Sequence, residues 1–454
     1  MSSDTIVALA TPTGRSGIGV IRLSGGDALA LIGNLIGEVD VSLRHRHATL
    51  RQLRDPETRD VIDEAIITYF KAPHSFTGED VVEISCHGSP VLLRQIIDNC
   101  LRLDTRLAEP GEFSLRALAN GRMNLAQAEA IRDLIDARTT ASARQAVRQL
   151  RGEFSNELQP LKDELLDVIV ALESTLEFVE DDLPEMQSER IKERLRAVKE
   201  KIEQIASTFQ AGKLIREGLR VALVGRPNVG KSSLFNTLLG LDRAIVTEIA
   251  GTTRDQIHER FTIDNIPISL IDTAGLRETT DTVESIGVER SKRTMADADL
   301  VVVMLDASYE VTDDDRQIFK SVSDIEHVIA LNKIDKAPDK NTAAFASSFD
   351  SQCVRVSART GEGLDALKRA IVEPFEPRDF SDSGFLVTDA RHHDLLSRAG
   401  YEIEQSLDRL DQKLSEEIVL VGLHSALRYL GEITGETTTE DMLTRIFSTF
   451  CIGK

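Results

Sequence analysis

The spacing of hydrophobic positions changes three times along this chain. Between residues 1 and 120 the apolar stretches are short and close on glycine or proline, as in TIVALATP, GVIRLSG, EAIITYFKA and VVEISCHG. Runs of this kind predict β-strands. PVLLRQIIDNCLRL carries its apolar residues at helical spacing instead, so the front of the chain reads as an α+β or α/β module. From Met123 onward Ala, Arg and Gln dominate, and Ile131, Leu134, Ile135 and Leu150 suit one helical face. ELQPLKDELLDVIVALESTLEF and SERIKERLRAVKEKIEQIAST continue the pattern, with Pro160 and Pro184 expected at helix starts or kinks. The stretch 123–212 predicts a helical bundle with polar outer faces. At Leu219 the texture changes again. LRVALVG, PISLIDTAG, LVVVMLDA, HVIALNK and CVRVSA are compact apolar runs separated by helix-like segments. They predict a mostly parallel sheet covered on both faces. Helical patterning returns after Pro377. The economical division is an N-terminal module over 1–120, a helical domain in two parts (121–217 and 378–454), and an α/β domain inserted at 218–377.

Composition narrows the class. Of 454 residues, 41% are hydrophobic and 28% charged, the balance of a soluble globular protein. Aromatics are 4% with no Trp, so the cores must be largely aliphatic. The formal net charge of -21 repels nucleic acid on average, leaving room only for a local basic patch or a basic partner. Cys86, Cys100, Cys353 and Cys451 form no C-x-x-C pair and no zinc spacing, which points to a reducing, cytoplasmic setting. No apolar run is long enough to predict a membrane span. His45 and His47 lack a second set of ligands and read as a solvated loop. Cys86 and His87 are sequence neighbours on a strand and point to opposite faces, which excludes a thiol–imidazole pair.

The chemistry concentrates in the inserted domain. GRPNVGKS (225–232) follows the strand RVALV and fits the phosphate-loop pattern at every fixed position. Gly225 and Gly230 let the backbone wrap phosphate oxygens, Lys231 is placed to reach the β- and γ-phosphates, and Ser232 to bind Mg²⁺. IDTAG supplies Asp272 for the Mg²⁺ shell and the Gly275 amide for the γ-phosphate. AGTTRD supplies Thr253 as a second Mg²⁺ ligand. LNKID supplies Asp335, whose carboxylate can accept both hydrogen bonds from guanine N1 and the 2-amino group; adenine lacks that donor pair. SAR supplies the amides of Ser357, Ala358 and Arg359 for the guanine carbonyl. In this order the motifs resemble the translation-factor-like class of small GTPases, a Ras-like P-loop G domain. One position departs from the Ras-like pattern: Leu276 stands where a water-orienting Gln would be. Hydrolysis then needs another group, and Glu284 is the best nearby carboxylate, although on position alone an ordinary exposed helix carboxylate is the better account of it.

Beyond the G domain, TPTGRSGIGVIRLSG, FTGEDVVEISCHG, PGEFSLRALANGRMNLAQAEAI and the ending TRIFSTFCIGK together resemble the MnmE (TrmE) family of tRNA-modifying GTPases, over essentially the whole chain. The resemblance implies a cytosolic homodimer built through the N-terminal module. It further implies an FAD-dependent partner (MnmG, also GidA) forming a heterotetramer, and addition of an aminomethyl or carboxymethylaminomethyl group to C5 of the wobble uridine of certain tRNAs. The one-carbon unit would come from 5-formyltetrahydrofolate. GTP hydrolysis would depend on K⁺ and on pairing of two G domains, with Asn228, Thr247, Ile249 and Thr252 holding the K⁺ and Glu284 positioning water. Nucleotide contacts carry over to Asn228, Val229, Gly230, Lys231, Ser232 and Ser233, to Thr247, Glu248, Ile249, Ala250, Gly251, Thr252 and Thr253, to Asp272, Thr273, Ala274 and Gly275, to Asn332, Lys333, Ile334 and Asp335, and to Ser357, Ala358 and Arg359. The folate site carries over to Arg22, Glu83, Arg122 and Lys454.

Two rival readings differ in class. The first is an RNA-binding or ribosome-assembly GTPase resembling Era or Der, which the acidic balance and the lack of a basic GXXG segment disfavour. The second is a folate enzyme whose G domain only clamps a dimer. The final CIGK imitates a C-a-a-X lipidation box, but a terminal Lys is an atypical last residue and Gly453 is not aliphatic. TEDMLTRIFSTF reads as a last helix. Cys451 is then expected to be a small buried residue that positions the tail, with a catalytic thiol as the alternative.

Overall fold

The computed structural model describes residues 4–39, 41–177, 185–241, 258–264, 266–272, 298–323, 325–336, 353–375, 385–436 and 440–453. The chain forms two compact units: 1–135 with 149–195 and 402–454, and 136–148 with 196–401.

The first unit opens with the module read as strands and helices. Its elements are β1 (Thr5–Leu9), β2 (Ile18–Ser24), α1 (Ala28–Ile36), β3 (Ala48–Arg54), β4 (Val61–Phe70), β5 (Val81–His87), α2 (Pro90–Leu101), β6 (Thr105–Leu107) and α3 (Glu112–Ala119). They form a six-stranded sheet in the order β3-β4-β5-β2-β1-β6. Only the β1–β6 pairing is parallel. Period-2 alternation decides the layers. Val7, Ile21, Leu23, Ile67, Val82, Ile84 and Cys86 face α1 and α2 and pack against Leu31, Ile32, Leu35, Leu93 and Ile96. On the other face, Ile6 and Ala8 of β1 are covered by Phe113 and Phe76. β3 was not among the expected strands. It is an edge strand whose residues are mostly charged or polar, with Leu53 its single fully buried side chain.

Cys86 and His87 do point apart. The Cys86 thiol is buried against the Gly19 carbonyl, and burial pushes its pKa up to about 11. The exposed His87 instead meets Asp63 through Nδ1 at 2.8 Å.

The helical stretches follow as α4 (Leu125–Asp136), α5 (Thr140–Leu150), α6 (Glu153–Glu177), α7 (Glu185–Ser207) and α8 (Phe209–Glu217). Pro160 marks neither start nor end of a helix; it lies inside the continuous α6. α7 begins one residue after Pro184, which lies outside the described residues.

The inserted sheet comprises β7 (Leu219–Val224), β8 (His258–Ile263), β9 (Ile266–Asp272), β10 (Leu300–Asp306), β11 (His327–Asn332) and β12 (Cys353–Arg355). Interleaved with these strands are α9 (Lys231–Leu241), α10 (Asp313–Val322) and α11 (Leu364–Val372). Strand order is β12-β11-β10-β7-β9-β8. All pairs are parallel except the β8–β9 edge hairpin, the one strand of this sheet that apolar runs did not announce. Side chains of β7 and β10 alternate between two cores: Val221, Leu223, Val302 and Met304 enter one, and Ala222, Val224, Val301, Val303 and Leu305 the other. This explains why these strands read as unbroken apolar runs.

The chain ends in α12 (Ala390–Asp411), α13 (Glu416–Thr434) and α14 (Glu440–Phe447). The last helix is where its amphipathic pattern placed it. Phe447 and Phe450 pack with Leu125 and Ala128.

Because Leu223 is fully buried on a central strand, Leu223→Ala should cost about 2–5 kcal/mol of stability in the inserted domain. Denaturant unfolding followed by hydrogen exchange of β7 and β10 amides measures this; an unchanged opening free energy would show that the site is not a load on the sheet.

Candidate functional site

A parallel sheet gathers its loops at the carboxyl ends of the strands, where ligands of open α/β folds bind. Here β7 runs into the phosphate loop, β9 ends at Asp272, β11 ends at Asn332, and residues 357–359 follow β12. The loop itself needs unusual backbone. Gly230 has φ +102, and a Cβ there would lie 2.3 Å from Asn332 Nδ2, so glycine is required. Asn228 adopts φ +63, a left-handed conformation that Asn tolerates better than most residues.

Asn332 joins the loops. Its Nδ2 donates to the Val229 carbonyl at 2.8 Å, and its Oδ1 accepts from the Ala358 amide at 3.0 Å. The side chain is 2% exposed, so both bonds are made away from water. Lys333 adds a second tie: its Nζ donates to the Asn228 carbonyl at 2.7 Å and to Asp306 Oδ2 at 2.6 Å. Burial alone would raise the pKa of Asp306. Lys333, the Ser308 hydroxyl and the Ser308 amide outweigh it and hold the carboxyl below its usual range. Thr237 of α9 donates to the Ala358 carbonyl at 2.8 Å, closing the circuit.

The exposed Asp335 carboxylate accepts at Oδ1 from the buried Ser357 hydroxyl, 2.8 Å away. Ser357 thus fixes the carboxylate's direction. Lys231 Nζ donates to the carbonyls of Gly225 (2.6 Å) and Arg226 (2.9 Å) inside its own loop. Ser232 and Ser233 are exposed at the start of α9, and Val229 is buried beneath the loop. Arg226 reaches out of the loop to Asp315 at 2.7 Å. Asp315 is 1% exposed, and its second oxygen accepts from the Thr312 amide and hydroxyl in the capping box of α10. Sequence reading missed Asp306, Asp315 and Thr237. Only Asp306, at the end of VVVMLDA, had a local signal.

The remaining expectations lie outside the described residues: Thr247, Glu248, Ile249, Ala250, Gly251, Thr252, Thr253, Thr273, Ala274, Gly275, Glu284, Lys454 and the side chain of Asp272.

A second constellation lies in the N-terminal sheet. Arg22 and Glu83 are cross-strand partners of β2 and β5. Arg22 Nε and Nη2 both donate to Glu83 Oε1, at 2.9 and 2.7 Å, and Nη1 donates to the Gly453 carbonyl at 3.0 Å. The guanidinium stands 5.8 Å from the ring centroids of both Phe76 and Phe113. Gly453 has φ +95, and a Cβ there would sit 2.7 Å from the Leu9 carbonyl, so the tail lies against β1 through a glycine. The exposed Arg122 runs its stem past Gly78, two residues from Phe76. The loop 75–79 is pinned from below. Glu79 accepts from the Ser24 hydroxyl at 2.7 Å and from the 8%-exposed side chain of Arg116, which also binds Asp4 and Glu112. Arg22, Glu83 and the tail are therefore brought together, with Arg122 on the neighbouring loop. Phe76 and Phe113 are additions that sequence reading did not supply.

Cys451 does not take the buried position expected of it; it is exposed. Phe447 and Phe450 occupy the apolar sites of the last turn, and the chain has left the core by the next residue.

Comparison with known proteins places this architecture. The family model described as GTP-binding protein TrmE N-terminus matches residues 5–122, and that described as MnmE helical domain matches residues 125–451. A relative from Aquifex aeolicus (strain VF5) named tRNA modification GTPase MnmE is 43% identical over 452 residues, covering 99% of this chain and 100% of its own. One of the same name from Koribacter versatilis (strain Ellin345) is 43% identical over 454 residues, covering 99% of each. Among solved structures, an Era variant of Aquifex aeolicus bound to GDP and aluminium fluoride aligns with 40% of this chain and 66% of its own, at 28% identity and a TM-score of 0.29. With both ends and the helical region matched at this identity and coverage, the chain belongs to the MnmE family of tRNA modification GTPases.

Proposed function

We propose that this chain binds GTP with Mg²⁺ in the loops joined by Asn332, hydrolyses it, and uses the cycle to modify C5 of a wobble uridine in tRNA. The observation that carries the nucleotide reading is the double tie of Asn332, which holds the phosphate loop and the 357–359 loop at a fixed spacing while Ser357 aims the Asp335 carboxylate. Asp335 accepts from guanine N1 and the 2-amino group, and the amides after β12 serve the guanine carbonyl. Lys231 exchanges its two loop carbonyls for β- and γ-phosphate oxygens, so no uncompensated ammonium is created at either stage. Ser232, Thr253 and Asp272 are the oxygen donors suited to Mg²⁺.

With Leu276 unable to orient water, Glu284 is the residue for that task. Asn228, Thr247, Ile249 and Thr252 offer the hard oxygens that suit K⁺, whose charge would offset that developing between the phosphates. Hydrolysis would also depend on pairing of two G domains in a homodimer.

In the N-terminal module, Glu83 would accept paired donors of a pterin such as 5-formyltetrahydrofolate. Arg22 would hold the Glu83 carboxylate toward the pterin, Arg122 and Lys454 would supply cations for the glutamate tail, and Phe76 would supply an aromatic wall. The folate would contribute the one-carbon unit, and the FAD-dependent partner MnmG the redox chemistry. Among the described residues, no helix is long and apolar enough to cross a membrane.

Three outcomes test this reading. Asp335→Asn should weaken GTP by at least about 100-fold, because an amide offers one acceptor and a misplaced donor, and should admit xanthosine triphosphate, whose C2 carbonyl takes that donor. Competitive nucleotide binding decides it, and an unchanged preference for guanine would overturn the base-site assignment. Hydrolysis in K⁺ should exceed that in Na⁺ by at least about tenfold; equal rates exclude the cation role of Asn228. Removal of Gly453 and Lys454 deletes the carbonyl that holds Arg22, and should weaken 5-formyltetrahydrofolate about tenfold in a calorimetric titration. Unaltered affinity would remove the tail from the pocket.

A further inference from the structure

The inserted domain hangs from two connections, α8 on the way in and residues 385–389 on the way out, and these are fastened to each other. The Thr208 hydroxyl accepts from the Val387 amide at 3.0 Å. Arg216 Nη1 donates to Asp389 Oδ2 at 2.7 Å and to the Thr388 carbonyl at 3.4 Å. Between these bonds Gly212 lies so close to the return segment that a Cβ would fall 2.0 Å from the Val387 carbonyl. Phe209 stacks on His393 of α12 with ring centroids 4.4 Å apart. Ala211 and Ile215 bury against Leu386 and Ala141. The Asp389–Arg216 pair is well shielded. Burial opposes the charge on Asp389, yet His392 and Arg216 keep its carboxyl well below the usual range.

The other side of α8 belongs to the nucleotide domain. Leu214 packs in the same core as Leu223, Leu270 and Met304. The next residue after α8, Gly218, has φ +77 and a position where a Cβ would meet the Pro267 carbonyl at 2.0 Å. Pro267 is near the start of β9, and the far end of β9 is Asp272. A strand is stiff along its length, so a shift at Asp272 is passed to the Pro267 end and meets α8 there. In GTPases the segments around the γ-phosphate are the ones that rearrange on hydrolysis.

We propose that Arg216 and Asp389 are positioning residues that make α8 and the return segment one joint, through which the nucleotide state sensed at the end of β9 reaches α5 and the start of α12. The joint lies outside the nucleotide loops. Removing it should leave hydrolysis intact while uncoupling it from the rest of the chain. This rests on the G-domain reading but not on the tRNA reading.

The test uses the full-length protein and hydrogen–deuterium exchange with GDP against a non-hydrolysable GTP analogue. The unaltered chain should show a nucleotide-dependent difference, at least about threefold in exchange rate, in amides of residues 385–393 and 140–148. In Arg216→Gln and Asp389→Asn that difference should vanish, while differences in β10 and β11 persist and the kcat and KM for GTP stay within about twofold. Asn at 389 keeps the acceptor that caps the Arg391 amide, so this variant retains the start of α12. The double variant should be no worse than either single one, and Arg216→Lys, which keeps the charge, should retain part of the difference. Absence of a difference in the unaltered chain, its persistence in both neutral variants, or a parallel loss of GTP hydrolysis overturns the proposal. Intact nucleotide-dependent exchange in a protein that fails to restore wobble-uridine modification to a deletion strain would instead remove the tRNA reading and leave the joint standing.

Discussion

The nucleotide site depends on one buried amide. Asn332 is the only described side chain that hydrogen-bonds both the phosphate loop and the loop after β12, with one group donating and the other accepting. An aspartate could not donate to Val229, and a leucine would leave two buried backbone groups unpaired, each costing about 1–3 kcal/mol. The loops that carry the phosphate-loop, LNKID and SAR motifs are positioned relative to this bridge. Lys333 follows it to brace the loop from outside, Asp335 follows at the distance of one short turn, and Gly230 has no side chain because the bridge occupies that space. The sheet brings the strand ends together, and the amide sets their spacing.

The N-terminal module solves a similar problem with charge instead of an amide. Arg22 is held between Glu83, a main-chain carbonyl of the tail and two aromatic rings. The loop carrying Phe76 is fixed by Arg116, whose guanidinium meets three carboxylates at 8% exposure. Burying such a cation is costly unless its donors are satisfied. Here the donors of Arg116 reach Asp4, Glu79 and Glu112, so the network specifies the loop's position without leaving a charge alone.

What the sequence made legible was whatever is contiguous. GRPNVGKS and LNKID announce themselves because each needs several groups on one loop, and the buried strands because both faces are covered. Partners distant along the chain were invisible: Asp315 beneath Arg226, Asp306 beneath Lys333, and the carbonyl of Gly453 above Arg22. Nothing local in the sequence pairs Arg22 with Glu83, since register cannot be read from one strand; only the family resemblance singles them out. β3, β6 and β8 were missed: β3 and β6 are short on buried apolar residues, and in β8 only Phe261 and Ile263 alternate after three polar residues. Cys451 was misplaced because a small thiol next to the tail was expected to be buried; Phe450 takes the last buried apolar position, and in the tail it is Gly453 that is buried.

Thr312 is, by local standards, an ordinary helix cap, and such a hydroxyl is commonly worth about 1 kcal/mol. In this chain it also supplies one of the two bonds to the second carboxylate oxygen of Asp315, whose first oxygen holds Arg226, and the Arg226 carbonyl lies under Lys231. The thermodynamics of one helix end and the shape of the phosphate loop are therefore not separable quantities. A substitution scored only by its effect on melting would register a lost cap, while the same lost hydroxyl would be felt by the nucleotide.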